Sequence, residues 1–175
     1  MAVVRRCELP ESGLLRTYKS HAYVDCFTAD IRLPVSLEDF VTAFYTTSLF
    51  KLERSILNWA VSKPSTDEQA RQLGAGSIIE FAAWHVEERA PNQLLLSDMN
   101  NRTRSWLMID PVSTNVGHAT HLYFGSAVVP VRNRKSGKTE MGHVFRALLG
   151  FHKLYSGALL RAAVSRLNAA AAKKS

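Results

Sequence analysis

Hydrophobic residues change their spacing three times along this chain, and each change marks a new kind of element. From His21 to Leu33, Tyr23, Phe27, Ile31 and Leu33 recur two or four apart, with the β-favouring Val24 and Thr28 among them. That is a strand pattern, and Pro34 ends it. Helical spacing follows. Ser36 opens a helix with Asp39 as the acidic partner of a capping box, and Phe40, Val41, Phe44 and Tyr45 share its apolar face to about Thr47. Leu49 to Ser62 predicts a second helix, apolar through Leu49, Leu52, Ile56, Leu57, Trp59 and Ala60 and stopped by Lys63-Pro64. Thr66 followed by Gln69 caps a short third helix that Gly74 and Gly76 close.

Period two then returns. Ser77 to Glu88, Gln93 to Met99, Thr103 to Val112 and Thr120 to Val131 predict four strands. Turns at Ala90-Pro91-Asn92 and Asn100-Asn101, and a loop over residues 113–119, join them as an antiparallel meander. A connector with Lys135-Ser136-Gly137-Lys138 leads into a long helix from Met141 to about Ala170. At about 100° per residue, Val144, Phe145, Leu148, Leu149, His152, Tyr155, Leu159, Ala163 and Leu167 form one apolar arc. Arg146, Lys153 and Arg161 lie opposite, and Arg166 intrudes on the arc. Such a helix is about 45 Å long and needs a large apolar partner, for which the meander is the one candidate.

The chain has 175 residues, enough for one domain with a substantial core, and its 46% hydrophobic content is near the globular average, so disorder is not the expectation. The expected division is an N-terminal arm at 1–20, one domain at 21–170 and a frayed basic tail at 171–175. Charge is uneven. Residues 132–175 carry ten basic residues against Glu140, a net of +9, which leaves −2 for residues 1–131. Arg132, Arg134, Lys135 and Lys138 are therefore candidates for contact with an anionic membrane or nucleic acid, or else a solvated surface. Cys7 and Cys26 show no CxxC or metal spacing, which fits reduced thiols with Cys26 buried in a strand. There is no signal-like apolar region after Met1 and no run near the roughly 20 residues of a membrane span, so a soluble, cytoplasmic protein is expected.

The order strand, two short helices, meander, long helix predicts an α+β fold in which a curved antiparallel sheet wraps around the long C-terminal helix. Leu9-Pro10-x-Ser12, Tyr23-x-Asp25-x-Phe27, Phe44-Tyr45-Thr46-Thr47 followed by Leu52-Glu53-Arg54, and Leu96-Ser97-Asp98 carry a resemblance. From Tyr23 to Leu167 the chain resembles the helix-grip architecture of the START and Bet v 1-like (SRPBCC) superfamily of lipid carriers, polyketide cyclases and aromatases. More narrowly it is similar to an uncharacterised bacterial family within it. The superfamily pattern has about seven strands, whereas the sequence yields five. The other two would come from splitting a long strand or from residues 64–77. No cyclase catalytic motif is present, and none is carried over. The resemblance implies an apolar cavity between helix and sheet, with a few polar groups that orient a ligand.

Candidate lining residues are Trp84, His85, Trp106, Met108, His121 and Tyr123 on the meander, with Leu148, His152, Tyr155 and Leu159 on the helix. His152 and Tyr155 share a helix face three residues apart. They are hydrogen-bond partners for a ligand, or, in a cyclase or dehydratase, an acid–base pair on a bound carbonyl; equally they are a satisfied core histidine beside a tyrosine. The expected function is therefore binding of a hydrophobic or aromatic small molecule, with an enzyme and an anionic-surface binder as alternatives. No cofactor is implied. Asp98 and Arg104 flank one turn and are expected to pair across strands. Asp25 would need a buried partner, for which Arg54 is placed. His118-x-x-His121 with His85 straddles a loop and strands, so no metal site is assigned. There is no GxSxG, and Gly74-Ala75-Gly76 is a turn without a phosphate loop's lysine.

Overall fold

The computed structural model describes residues 3–50, 65–114, 117–130 and 143–173; the side chains of residues 114, 117 and 143–154 lie outside that description. The strands are β1 (Val4–Arg6), β2 (Tyr23–Ile31), β3 (Glu80–Phe81), β4 (Trp84–Ala90), β5 (Gln93–Asp98), β6 (Thr103–Thr114) and β7 (Gly117–Val128). They form one seven-stranded sheet in the order β1-β2-β7-β6-β5-β4-β3. Every neighbouring pair is antiparallel. With helices α1 (Leu37–Tyr45), α2 (Asp67–Ala75) and α3 (His143–Ala172), the fold is α+β, a curved sheet with a long C-terminal helix, as the pattern predicts. The predicted helix over 49–62 lies outside the described residues beyond Phe50.

Local chemistry places the helix ends. Ser36 accepts from the Asp39 N–H to start α1, and Thr66 and Gln69 form a reciprocal capping box on α2. Gly76 closes α2 at φ 78°, a conformation suited to glycine. The two strands beyond the five expected have separate origins. β3 is cut from the long strand by a turn in which Ala82 takes φ 52°, and alanine gives no turn signal in sequence. β1 lies in the arm expected to be irregular. The expected loop over 113–119 is instead a continuation of the β6–β7 hairpin, with Ser113 opposite His118 and Thr114 opposite Gly117.

Both faces of the sheet are covered. On the helix face, Ala29 and Ile31 of β2, Leu94 and Leu96 of β5, Leu107 and Ile109 of β6, and Leu122 and Phe124 of β7 pack with residues of α1, α2 and α3. Alternation sends their strand neighbours Cys26, Leu95, Trp106, Met108 and Ala127 to the other face. There the arm folds back as a 3-10 helix, Leu14–Tyr18, whose Leu15 and Tyr18 complete a second core.

Gln93 fastens that arm. Its Oε1 accepts from the Leu14 N–H and from Trp106 Nε1–H, each at 2.9 Å, and its Nε2 donates to the Ser12 carbonyl at 2.9 Å. In α3, Ser156, Leu159, Leu160, Ala163, Val164 and Leu167 are buried, while Arg161 and Arg166 are exposed. The buried stripe is thus turned by about one residue from the projected arc, and Arg166 falls outside it. Among the described residues no helix is long and apolar enough to cross a membrane.

The arm packs closely over Gly125. A Cβ there would lie 2.7 Å from Leu15 Cδ2, 2.9 Å from the Trp106 ring and 3.0 Å from the Asp25 carbonyl. Two of these neighbours are packed side chains and one is backbone, so none yields freely. Gly125→Ala is expected to cost about 1–3 kcal/mol in urea unfolding. An unchanged midpoint would show that the arm does not rest on this position.

Candidate functional site: a polar row beneath the helices

Three polar residues occupy one register row on the helix face. Asp25 of β2 stands opposite Ser126 of β7, and Ser126 stands opposite Ser105 of β6. All three are buried, Asp25 to 2% exposure. Asp25 Oδ1 accepts from the Ser126 backbone N–H at 3.2 Å and also from the Ser126 hydroxyl. Ser105 Oγ bonds the Tyr45 phenol of α1 at 2.8 Å. A carboxylate, two hydroxyls and a phenol therefore lie under apolar helices, where each must be hydrogen-bonded to be tolerated.

Around this row the layer is aromatic. The Phe44 ring centre is 4.6 Å from Phe124 and 5.1 Å from Tyr45. Tyr45 in turn lies 4.8 Å from Phe50 and 5.4 Å from Phe81. Two further polar atoms lie on this side. Trp84 Nε1 and Ser156 Oγ are buried and have no hydrogen-bond partner among the described residues. Both belong to the helix side: Trp84 packs against that core, and Ser156 precedes Gly157, which lies over the Phe27 ring. Such an arrangement offers an apolar surface together with a small number of directed donors and acceptors.

The residues singled out from sequence divide between the two faces. Trp84, Tyr155 and Leu159 lie in the helix-side core. Trp106, Met108 and Tyr123 do not; they sit beneath the N-terminal arm, on the opposite face. His85 shares that face, in the row of Ser97 and Arg104. His121 is also on the arm side, paired with Asp30, whose Oδ1 is 2.5 Å from its Nδ1. Period two assigns Trp106 and Met108 to a common face but does not say which, and with both faces apolar the choice was open. Leu148 and His152 lie on α3, with side chains outside the described residues, as are Arg54, Arg132, Arg134, Lys135 and Lys138.

Other expected contacts differ as well. Asp98 does not pair with Arg104, because Arg104 is in register with Ser97 and so points to the other face. Asp98 Oδ1 instead accepts from the Arg102 N–H at 2.6 Å and the Thr103 N–H at 2.8 Å, closing the turn. Arg104 reaches Glu87 at 2.6 Å and stacks 4.6 Å over the Tyr18 ring. Burial, followed by the Glu87 hydrogen bond, pushes the Tyr18 phenol above its ordinary value. His85 and His121 are six positions apart along paired strands, about 20 Å, and among the described residues no group of three or more His, Cys, Asp or Glu could hold a metal ion.

Ser105, Ser126, Tyr45 and Ser156 were not singled out from the sequence. The available signal was parity: Ser105 and Ser126 fall in step with the buried Leu107 and Phe124. At the opposite end of the strands lies a surface hollow of about 370 Å³ lined by Pro34, Asp39, Pro111, Ser113, His118 and Thr120, none of them among the ligand candidates. No family model matches the sequence, and no curated protein matches it. The class is therefore defined by the architecture: an α+β domain with a helix-covered antiparallel sheet and a buried aromatic cluster.

Two measurements probe these contacts. The Tyr45–Ser105 bond is buried at both ends, so a double-mutant cycle with Tyr45→Phe and Ser105→Ala should give a coupling of about 1 kcal/mol. A coupling near zero would mean the row is not closed by α1. On the arm side, the Arg5 hydrogen bond, then His121, hold the Asp30 carboxyl below its ordinary range despite partial burial. The unfolded chain then takes up this proton at a higher pH than the folded one, so the stabilisation is present above the usual carboxylate range and lost as pH falls through the lower folded value. Asp30→Asn should flatten the acid limb of stability between about pH 2 and pH 5, with an effect of no more than about 1 kcal/mol because the pair is exposed.

Proposed function

We propose that the protein binds a hydrophobic or aromatic small molecule, lipid-like or polyketide-like, between α3 and the helix face of the sheet. The observation that carries this reading is the pair of buried polar atoms, Trp84 Nε1 and Ser156 Oγ, without partners among the described residues. Leaving such a group unsatisfied costs about 1–3 kcal/mol, and a bound acceptor removes that cost. The aromatic cluster supplies the apolar wall, and the row Asp25, Ser126, Ser105 supplies polar groups beside it. Resemblance to the helix-grip superfamily points the same way, since its members hold ligands in this layer.

Ser156→Ala separates this function from plain packing. If the hydroxyl waits for a ligand, its removal should leave the stability of the free protein unchanged or higher while weakening ligand binding about 3- to 10-fold. Displacement of a fluorescent fatty acid, together with mass spectrometry of solvent extracts of the purified protein, gives the readout. A protein that carries no extractable molecule and takes up no fatty acid or aromatic probe would rule the reading out. A variant that loses stability at unchanged affinity would make Ser156 a packing residue.

A further inference from the structure

The register of β1 on β2 brings the chain's two cysteines face to face. Val4, Arg5 and Arg6 stand opposite Ala29, Thr28 and Phe27, and the next pair along is Cys7 and Cys26. The Cys7 N–H donates to the Cys26 carbonyl at 3.0 Å, and the two Sγ atoms are 3.1 Å apart. Directly opposed residues of antiparallel strands have Cα separations of roughly 4.5–5.5 Å, inside the range a disulfide bridges. Bond formation therefore asks for a sulfur shift of about 1 Å and no rearrangement of the strands. The two thiols are not equivalent. Cys7 is partly exposed and Cys26 is buried.

We propose that Cys7 and Cys26 are an intramolecular dithiol that a hydroperoxide converts to a disulfide, fastening the N-terminal arm to β2. The Cys7 thiolate attacks the terminal peroxide oxygen; the S–O bond forms, the O–O bond breaks, and the leaving oxygen takes a proton to depart as water or an alcohol. The Cys26 sulfur, giving up its proton, then attacks the Cys7 sulfenic acid; the S–S bond forms, the S–O bond breaks, and the released hydroxide takes that proton to become water. Two thiols lose two electrons, and one O–O bond gains them.

The environment divides the roles in that order. The hydrogen bond with Cys26 holds the Cys7 thiol below its ordinary range, against the effect of burial and with help from the Arg5 charge. The same contact and burial push the Cys26 thiol up. The outer sulfur is thus the nucleophile toward peroxide, and the inner one resolves it. The residues enclosed between the two include Leu14, Leu15 and Tyr18, which cover Trp106 and Gly125. Oxidation would therefore lock the cover of the arm-side core. This device is on the face away from the proposed ligand layer, so its outcome is independent of that reading.

The full chain, reduced and then exposed to stoichiometric hydrogen peroxide without denaturant, gives the test. The expected product has lost about two mass units, has no alkylatable thiol, yields a peptide linking Cys7 to Cys26, and melts roughly 5–10 °C higher. Cys26→Ser should leave a sulfenic acid on Cys7 that a cyclic 1,3-dione captures, whereas Cys7→Ser should leave Cys26 unmodified. The proposal is overturned if both thiols of the wild type still alkylate, if the only products are sulfinic acids, or if the linkage joins two chains. Peptide mapping of the unsubstituted protein decides the matter alone should either variant fail to fold.

Discussion

The pairing of β2 with β7 is the constraint on which the other features depend. It joins Tyr23 to Val128 at one end and Ile31 to Thr120 at the other, closing a sequence separation of about a hundred residues. With β1 added outside, β2 becomes an interior strand, and an interior strand of a wide sheet has two faces to bury. A slip of one residue would exchange those faces. Asp25 would leave the helix layer and Ser126, and Cys26 would leave the side of Cys7. The polar row and the dithiol are thus two consequences of one register.

The two covers of the sheet work by different physics. On the helix side, α1, α2 and α3 bury a continuous apolar cluster from Ala29 to Leu167, and the driving force is area removed from water. The arm side offers a smaller cluster and relies on a few directed contacts. Gln93 satisfies two donors and one acceptor at once. Arg104, 8% exposed, is acceptable there because Glu87 and the Tyr18 phenol both meet its guanidinium. A cover of that kind is specific but shallow. Its opening would expose far less apolar surface than global unfolding. A covalent link at Cys7 acts on that cover and leaves the rest of the fold untouched.

Much of this architecture was legible in residue spacing, because the strands and helices announce themselves by period and by caps. Ser36 and Thr66 start helices where the sequence places them, and Gly76 stops one. What could not be read was sidedness. The meander has apolar residues at both parities, Leu107 beside Trp106 and Met108, so alternation alone could not say which set meets α3. That ambiguity sent Trp106, Met108, His85, His121 and Tyr123 to the wrong side of the sheet. Ala82-Ala83 hid a turn because nothing in alanine favours φ above zero. The serines of the polar row were passed over for a related reason: a small hydroxyl in an apolar strand looks like tolerance, and only the register shows Ser105, Ser126 and Asp25 side by side. Cys7 and Cys26 looked unrelated because their proximity arises from strand pairing, not from spacing.

The contrast between the indole N–H groups of Trp106 and Trp84 bears on function. Trp106 lies on the arm side, and the chain supplies Gln93 to take its N–H at 2.9 Å. Trp84 lies on the helix side, its Nε1 equally removed from water, and no described residue accepts from it. The same holds for the Ser156 hydroxyl against the apolar run of α3. On the arm side the Thr28 hydroxyl is likewise buried without a partner among the described residues. A layer that had to do nothing but pack would be filled more stably by leucine or phenylalanine at these places, as it is at Leu96 and Phe81 nearby. Two donors unpaired among the described residues, a row of one carboxylate and two hydroxyls, and a buried aromatic cluster on one side of the sheet are compatible with a ligand-binding domain. They are poorly explained by packing alone.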